Sequence, residues 1–305
     1  MAGGCYPAWL MAQLREIKNR MGAVKTIGRI TKTMQMIATA KFTSAGQRAE
    51  KSRPYARMID EMVRQVASDA GDYESMLIDG PPEKTGKDLM LVICSDRGLC
   101  GAYNSNVLKA ASKHRQQEIG QTDVVVETAG KKATAFFKFQ GIEVSRSYST
   151  GDAPAYADIE AVAQTYLDQY MAGEFDTINI VSMRYQSVSR QRAEVTQLLP
   201  LSQPEAGGEE VEEQQSKMRD VYDFSPSAAE LLDTLLPTTV KTLLFQLFIE
   251  AAVSEHVMRM IAMKAASDNA NDFGRTLKRT FNRVRQGRIT TELTEIVSGV
   301  AALEG

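Results

Sequence analysis

The chain is poor in the side chains that usually build a catalytic or metal centre. Among 305 residues it has two histidines, His114 and His256, and three cysteines, Cys5, Cys94 and Cys100. No CxxC pair occurs, so a zinc site has almost no material. Three thiols cannot make a disulfide framework, which fits a reducing compartment. Aromatic residues make up 7% of the chain and do not interleave with basic residues as a base-stacking surface requires. A formal charge of −2 argues against a dedicated nucleic-acid binder. Long apolar runs are also lacking. The richest, Leu243 to Val253, is broken by Gln246 and Glu250, short of the roughly 20 residues a spanning helix needs. The first ten residues carry neither a positive n-region nor an arginine-rich amphipathic pattern, so neither a signal nor a transit peptide is expected. Patterning starts at Met11, which leaves residues 1–10 as a loose extension of a protein of the cell interior.

What is present is helical periodicity at both ends. At 43% hydrophobic and 24% charged residues, the chain has the means to fold. From about Ala8 to Ala67, apolar residues fall at Leu14, Ile17, Met21 and Val24, then at Ile27, Ile30, Met34 and Ile37. The spacings are those of a coiled-coil seam with one irregular step. Pro54 predicts a kink or short break. The last block starts near Pro226, which suits a first helical turn, and Pro237 predicts a kink or break early in it. No proline follows from Thr238 to Leu303, a helix of roughly 100 Å at about 1.5 Å per residue. Its end shows a heptad at Ile289, Leu293, Ile296, Val300 and Leu303.

The middle of the chain alternates differently. Gly71 to Asp88 reads as a loop. Strands are expected at 88–94, 123–127, 142–145, 177–184 and 193–199, and helices at 104–119, 131–139 and 158–171. That alternation predicts a mostly parallel α/β sheet ending in a hairpin. Gln203 to Gln215 contains five glutamates and no basic residue and reads as a solvated loop. Two long helices, each carrying half a seam, flank this block. The fold expected is therefore an antiparallel coiled coil of the N- and C-terminal helices on a small, mostly parallel α/β domain. Residues 11–70 and 226–305 form the shaft, 87–200 the α/β domain, and 201–225 an acidic connector.

The search for chemistry is mostly negative. The stretch GPPEKTGKD, Gly80 to Asp88, fails as a phosphate-binding loop in spacing, in its last residue and in preceding its strand. The histidines are too few for a nucleophile–base pair. The loop SDRGLCGAYN, Ser95 to Asn104, follows a strand and opens a helix, where amides can bind an anion and Cys100 can have a lowered pKa. Without a partner base, a tight glycine turn with a half-buried thiol is the preferred reading. Charge is uneven: Leu14 to Arg64 holds twelve basic residues against four acidic, and Arg275, Lys278, Arg279, Arg283, Arg285 and Arg288 form a second basic cluster. A solvated helix face is the commoner explanation. An acidic partner surface and nucleic acid are the others.

Four segments carry a resemblance. RITKTMQMIATAKFTSA (29–45), SDRGLCGAYN (95–104), SEHVMRMIAMKAASDNA (254–270) and NRVRQGRITTELTEIVSGVAA (282–302) closely resemble the gamma subunit of F-type ATP synthase, in that family's order and spacing. The resemblance implies a central-stalk rotor subunit with no catalytic, cofactor-binding or metal residues of its own. It couples proton-driven rotation of the c ring to conformational changes in catalytic beta subunits, on the cytoplasmic face of a bacterial inner membrane. The implied partners are the alpha and beta hexamer, the epsilon subunit and the c ring, with delta in the same complex. Carried over by motif, Arg285, Gln286 and Thr290 touch beta, and Met34 marks where the shaft passes beta. Tyr222 and Phe224 resemble the foot segment that meets the c ring and epsilon. Thr33 stands where the family usually has Ala. The cysteine pair of the photosynthetic branch is absent from Gln203 to Asp220, so thiol switching is not expected. The competing readings are a free-standing coiled-coil adaptor binding nucleic acid or an acidic protein, and a small-molecule enzyme using the 95–104 loop.

Overall fold

The computed structural model describes residues 8–69, 73, 75–118, 122–149, 151–201 and 227–304. The elements run α1 (Ala8–Asp69), α2 (Met76–Asp79), β1 (Lys87–Ile93), α3 (Tyr103–Glu118), β2 (Asp123–Ala129), α4 (Lys131–Phe139), β3 (Val144–Tyr148), α5 (Tyr156–Met171), β4 (Thr177–Ser187), β5 (Arg190–Leu199) and α6 (Ala228–Glu304). They divide into two compact units, Thr39–Met258 and Met1–Ala38 with Arg259–Gly305.

In the unit 39–258, the strands form one sheet in the order β3-β2-β1-β4-β5. β1 pairs in parallel with β2 and β4, β2 in parallel with β3, and β4 antiparallel with β5. Strand β1 is central and buried on both faces, so its apolar run splits by period two. Leu89, Leu91 and Ile93 join one core with α5 residues Ile159, Ala163 and Tyr166 and α6 residues Leu232, Leu236, Val240, Leu244 and Leu247. Met90, Val92 and Cys94 join a second core with Tyr103, Val107 and Ala111 of α3 and Ala133 and Phe137 of α4. Asp176 knots the end of the sheet, its carboxylate accepting from Thr85 N, Thr85 Oγ1 and Gly86 N at 2.7–2.9 Å.

Several expectations are corrected here. No break occurs at either proline: helix α1 continues through Pro54, and α6 through Pro237. An interior proline costs about 3 kcal/mol, and packing on both sides offsets it. Ala45 and Ala49 pack with Ile249 and Val253, and Val66 sits in the main core; Leu236 and Val240 flank Pro237 in the same core. The loop expected at 71–88 contains α2, one turn capped by Ser75, whose Oγ accepts from Leu77 N at 3.3 Å. Helix α6 also holds an 18-residue window of mean hydropathy 1.3, enough to cross a membrane by length and composition. The sequence reading expected none. The core-facing row from Leu232 to Ala251 is the reason a helix of this fold needs such a composition.

In the other unit, α1 and α6 run antiparallel. A Cβ placed on Gly28 would lie 3.4 Å from Ala270 Cβ, and one on Gly274 would lie 3.9 Å from Val24 Cγ1; four residues back on one helix is four forward on the other. The seam on α1 is Leu14, Ile17, Met21, Val24, Gly28, Thr31, Gln35 and Ala38, buried or half-buried throughout. Its spacings alternate strictly between 3 and 4, so the irregular step read from the sequence does not exist. Ile27, Ile30 and Ile37, expected on the seam, are each 52% exposed. The reason is steric: the helices approach closely where Gly28 meets Ala270, and an isoleucine there would hold them apart. Thr31 is tolerated because its hydroxyl donates back to Ile27 O at 3.0 Å.

The seam on α6 is Met263, Ser267, Ala270, Gly274, Leu277, Phe281, Val284 and Arg288. The expected continuation through Ile289, Leu293, Ile296, Val300 and Leu303 is exposed. Carrying the Gly28–Ala270 register to Ala8, where α1 begins, reaches α6 near Thr290. Beyond that level no described residue of α1 lies opposite.

Candidate functional site

The 95–104 loop occupies the carboxyl end of β1, where open α/β sheets commonly hold ligands. Here the loop is tied to itself. Asn104 Nδ2 donates to Ser95 Oγ at 2.8 Å and to Cys100 Sγ at 3.1 Å, while Ser95 N donates to Asn104 Oδ1 at 3.1 Å. Ser95 Oγ donates to Arg97 O at 2.6 Å, and Lys131 N donates to Asp96 Oδ1 at 3.0 Å. Cys100 is buried rather than half-buried, because Tyr103 and Val107 close over it in the second core. Burial pushes the Cys94 thiol far above its ordinary value, with Cys100 and Glu255 adding to the effect, so it carries no thiolate. Gly130 packs against this turn with φ +98; a Cβ there would lie 2.1 Å from Cys94 O.

Close by, Lys41 of α1 pairs with Asp152, and His256 Nε2 lies 3.4 Å from Asp152 O. The hydrogen bond from Lys41 holds the Asp152 carboxyl below its usual range, against the effect of burial and helped by His256 and Arg97. These contacts link α1, α6 and the segment before α5. Among the described residues no cluster of three His, Cys, Asp or Glu side chains could hold a metal.

The paired helices offer a different kind of site. On one side of the seam, Lys25, Arg29, Lys32 and Lys278 line an open groove of about 570 Å³ with Asp268 as its one acid. On the other, Ile27, Ile30, Met34 and Ile37 follow at spacings of 3, 4 and 3, a stripe along α1 set off from the seam by its helical phase. Met34 is half-buried. Arg285, Gln286 and Thr290 are all exposed, at the level where the described part of α1 begins. Thr290 Oγ1 donates to Gln286 O at 3.1 Å, whereas Arg285 makes no ion pair or side-chain hydrogen bond among the described residues. Next to it, Arg288 donates to Glu292 Oε1 at 2.6 Å. The structure thus brings Arg285, Gln286 and Thr290 together and leaves Met34 more than thirty ångströms of helix away at about 1.5 Å per residue. Tyr222 and Phe224 lie outside the described residues, as does the acidic segment.

Sequence reasoning missed the outward isoleucine stripe. The signal was available in the strict heptad through Gly28, Thr31 and Ala38, which a search for the largest apolar side chains passes over.

The comparisons with known proteins agree on one family. Residues 13–303 match the family described as ATP synthase. The chain is 38% identical to the ATP synthase gamma chain of Rhodopirellula baltica over 97% of its own length and all of that protein. It is 37% identical to the ATP synthase gamma chain of Leptospira biflexa over 96% of its length and all of that one. Its fold is similar to a chain from the Euglena gracilis mitochondrial ATP synthase OSCP/F1/c-ring structure, at a TM-score of 0.61 and 18% identity over 96% of this chain and 95% of that one. A second likeness is to a chain from the Tetrahymena thermophila central stalk and c ring, at a TM-score of 0.58 and 17% identity over 78% of this chain and 99% of that one. A family match over residues 13–303 and near-complete alignment with named relatives at 37–38% identity lead to one assignment: the chain belongs to the ATP synthase gamma chain family.

Proposed function

We propose that the chain is the central rotor of an F-type ATP synthase and makes no bonds itself. The observation that carries this reading is the outward apolar surface of the helical pair. Leu293, Ile296 and Val297 at the end of α6 are 58–66% exposed, on a helix that has no described partner there. Such a surface is costly in water and marks a protein interface. A surrounding ring of alpha and beta subunits provides one. The rotor then acts by differential contact: as it turns, each beta subunit meets a different side of the shaft, and its conformational equilibrium shifts by the difference in contact energy. Catalysis lies in beta, the unit 39–258 engages epsilon and the c ring, and the complex sits on the cytoplasmic face of a bacterial inner membrane.

Within that reading Arg285, Gln286 and Thr290 are beta contacts, Met34 lies where beta passes the shaft, and Tyr222 and Phe224 meet the c ring. The exposed guanidinium of Arg285, without an ion-pair partner among the described residues, supports the first of these. The test is reconstitution of the full chain with alpha and beta subunits, followed by an ATPase assay. A stoichiometric complex whose hydrolysis depends on the chain is expected. Recovery of the chain alone, bound to nucleic acid with a steep salt dependence, would favour the adaptor reading, and turnover by the purified chain would favour an enzyme.

A further inference from the structure

We propose that the groove beside Arg53 and Arg57 is the docking site of this chain's own acidic segment, Glu205 to Glu213. The groove, about 380 Å³ and inside the unit 39–258, is walled on one side by those two arginines of α1. Gln197 and Leu201 at the end of β5 and Thr239 and Gln246 of α6 lie across it. Neither guanidinium has an ion-pair or hydrogen-bond partner among the described residues. Glu50 and Glu61 share the neighbouring surface with them but pair with neither. Two cations unpaired among the described residues, on a groove whose own lining holds no acid, call for carboxylates.

The chain itself delivers them. Leu201 lines the groove and is pinned there, its N–H donating to Leu77 O at 2.7 Å. The residues that follow are SQPEAGGEEVEEQQ, with five glutamates and no basic side chain to compete. Glu205 is four residues beyond Leu201 and Glu213 twelve, an extended reach of about 14 Å and about 40 Å at roughly 3.5 Å per residue. Arg53 and Arg57 are one helical turn apart, about 6 Å. A short tether holds the carboxylates at an effective concentration on the order of millimolar, so weak individual pairs suffice. The docked segment withdraws Arg53 and Arg57 from the basic surface of α1 and thereby competes with any acidic partner for that stretch.

The experiment uses the full-length chain and a glutamate-specific protease, with cleavage at Glu205, Glu209, Glu210, Glu212 and Glu213 followed by mass spectrometry. At low salt the wild type should be cut about fivefold more slowly than Arg53→Gln/Arg57→Gln, and the difference should vanish near 0.5 M salt, where charge pairs are screened. Arg53→Lys/Arg57→Lys keeps the charge beside Pro54 and should retain protection, which separates charge from helix damage. Equal low-salt rates in wild type and the glutamine variant, whether fast or slow, would overturn the proposal. So would protection that arises only when alpha and beta subunits are added, because the occupant would then be a partner.

Discussion

The two units bury different things. In the unit 39–258, large side chains disappear completely: Leu89, Met90, Leu91, Ile180 and Met183 are all 0% exposed. In the helical pair the seam mixes large residues such as Ile17, Met263 and Leu277 with Gly28, Thr31, Ala38, Ser267 and Gly274, while Ile27, Ile30, Ile37, Phe273 and Ile296 face out. The first unit is stabilised by its own core, at about 1.5–3 kcal/mol per buried large apolar side chain. The second leaves much of its apolar surface exposed. In the proposed rotor, residues of the same type carry stability in one unit and binding in the other.

The largest effect expected from breaking this contrast is in the sheet unit. Gly130→Ala places a methyl group against Cys94 O at a positive φ and should cost at least about 4 kcal/mol, seen as a collapse of the thermal midpoint. Next, Leu91→Ala should lower the unfolding free energy by about 3 kcal/mol. Ile30→Ala, on the outward stripe, should stay within about 0.5 kcal/mol in the isolated chain yet weaken assembly with alpha and beta. A loss from Ile30→Ala as large as that from Leu91→Ala in the isolated chain would erase the distinction. Both are read from chemical denaturation.

A smaller effect tests the shaft surface. Arg285→Ala with Gln286→Ala should leave helix content unchanged and the complex assembled, but slow coupled turnover about tenfold for each lost contact of roughly 1.4 kcal/mol. Wild-type rates of synthesis and hydrolysis would make these residues a solvated patch.

The smallest effect is a dependence on pH. Burial alone would raise the Asp176 carboxyl, but the N–H groups of Thr85 and Gly86 and the Thr85 hydroxyl outweigh it and hold it below its ordinary value. Its stabilisation is therefore fully present above the unfolded value, about 3.9, and is lost as pH falls through the lowered native one. The stability gap between wild type and Asp176→Asn should be constant from pH 7 to about pH 5 and shrink below about pH 4. A gap that does not move with acid would mean the carboxylate's charge is irrelevant there.

The sequence by itself determined the helices and the sheet. The apolar runs Asp88 to Cys94 and DVVVE, the N-terminal helical spacing and the proline-free C-terminal block placed α1, α3, α4, β1, β2, β4, β5 and α6 within a few residues, because local patterning reports which backbone geometry can hide apolar side chains. The 95–104 turn was also legible as structural, since no base accompanied its thiol. Tertiary structure alone decided the phase of the seam, the passage of α1 and α6 through Pro54 and Pro237, and which residues form the exposed surface of the shaft. A heptad in one helix fits several faces equally well. Only the close packing of the two helices, where a Cβ on Gly28 would lie 3.4 Å from Ala270 Cβ, selects the face through Gly28, Thr31 and Ala38, and that contact joins two segments more than two hundred residues apart.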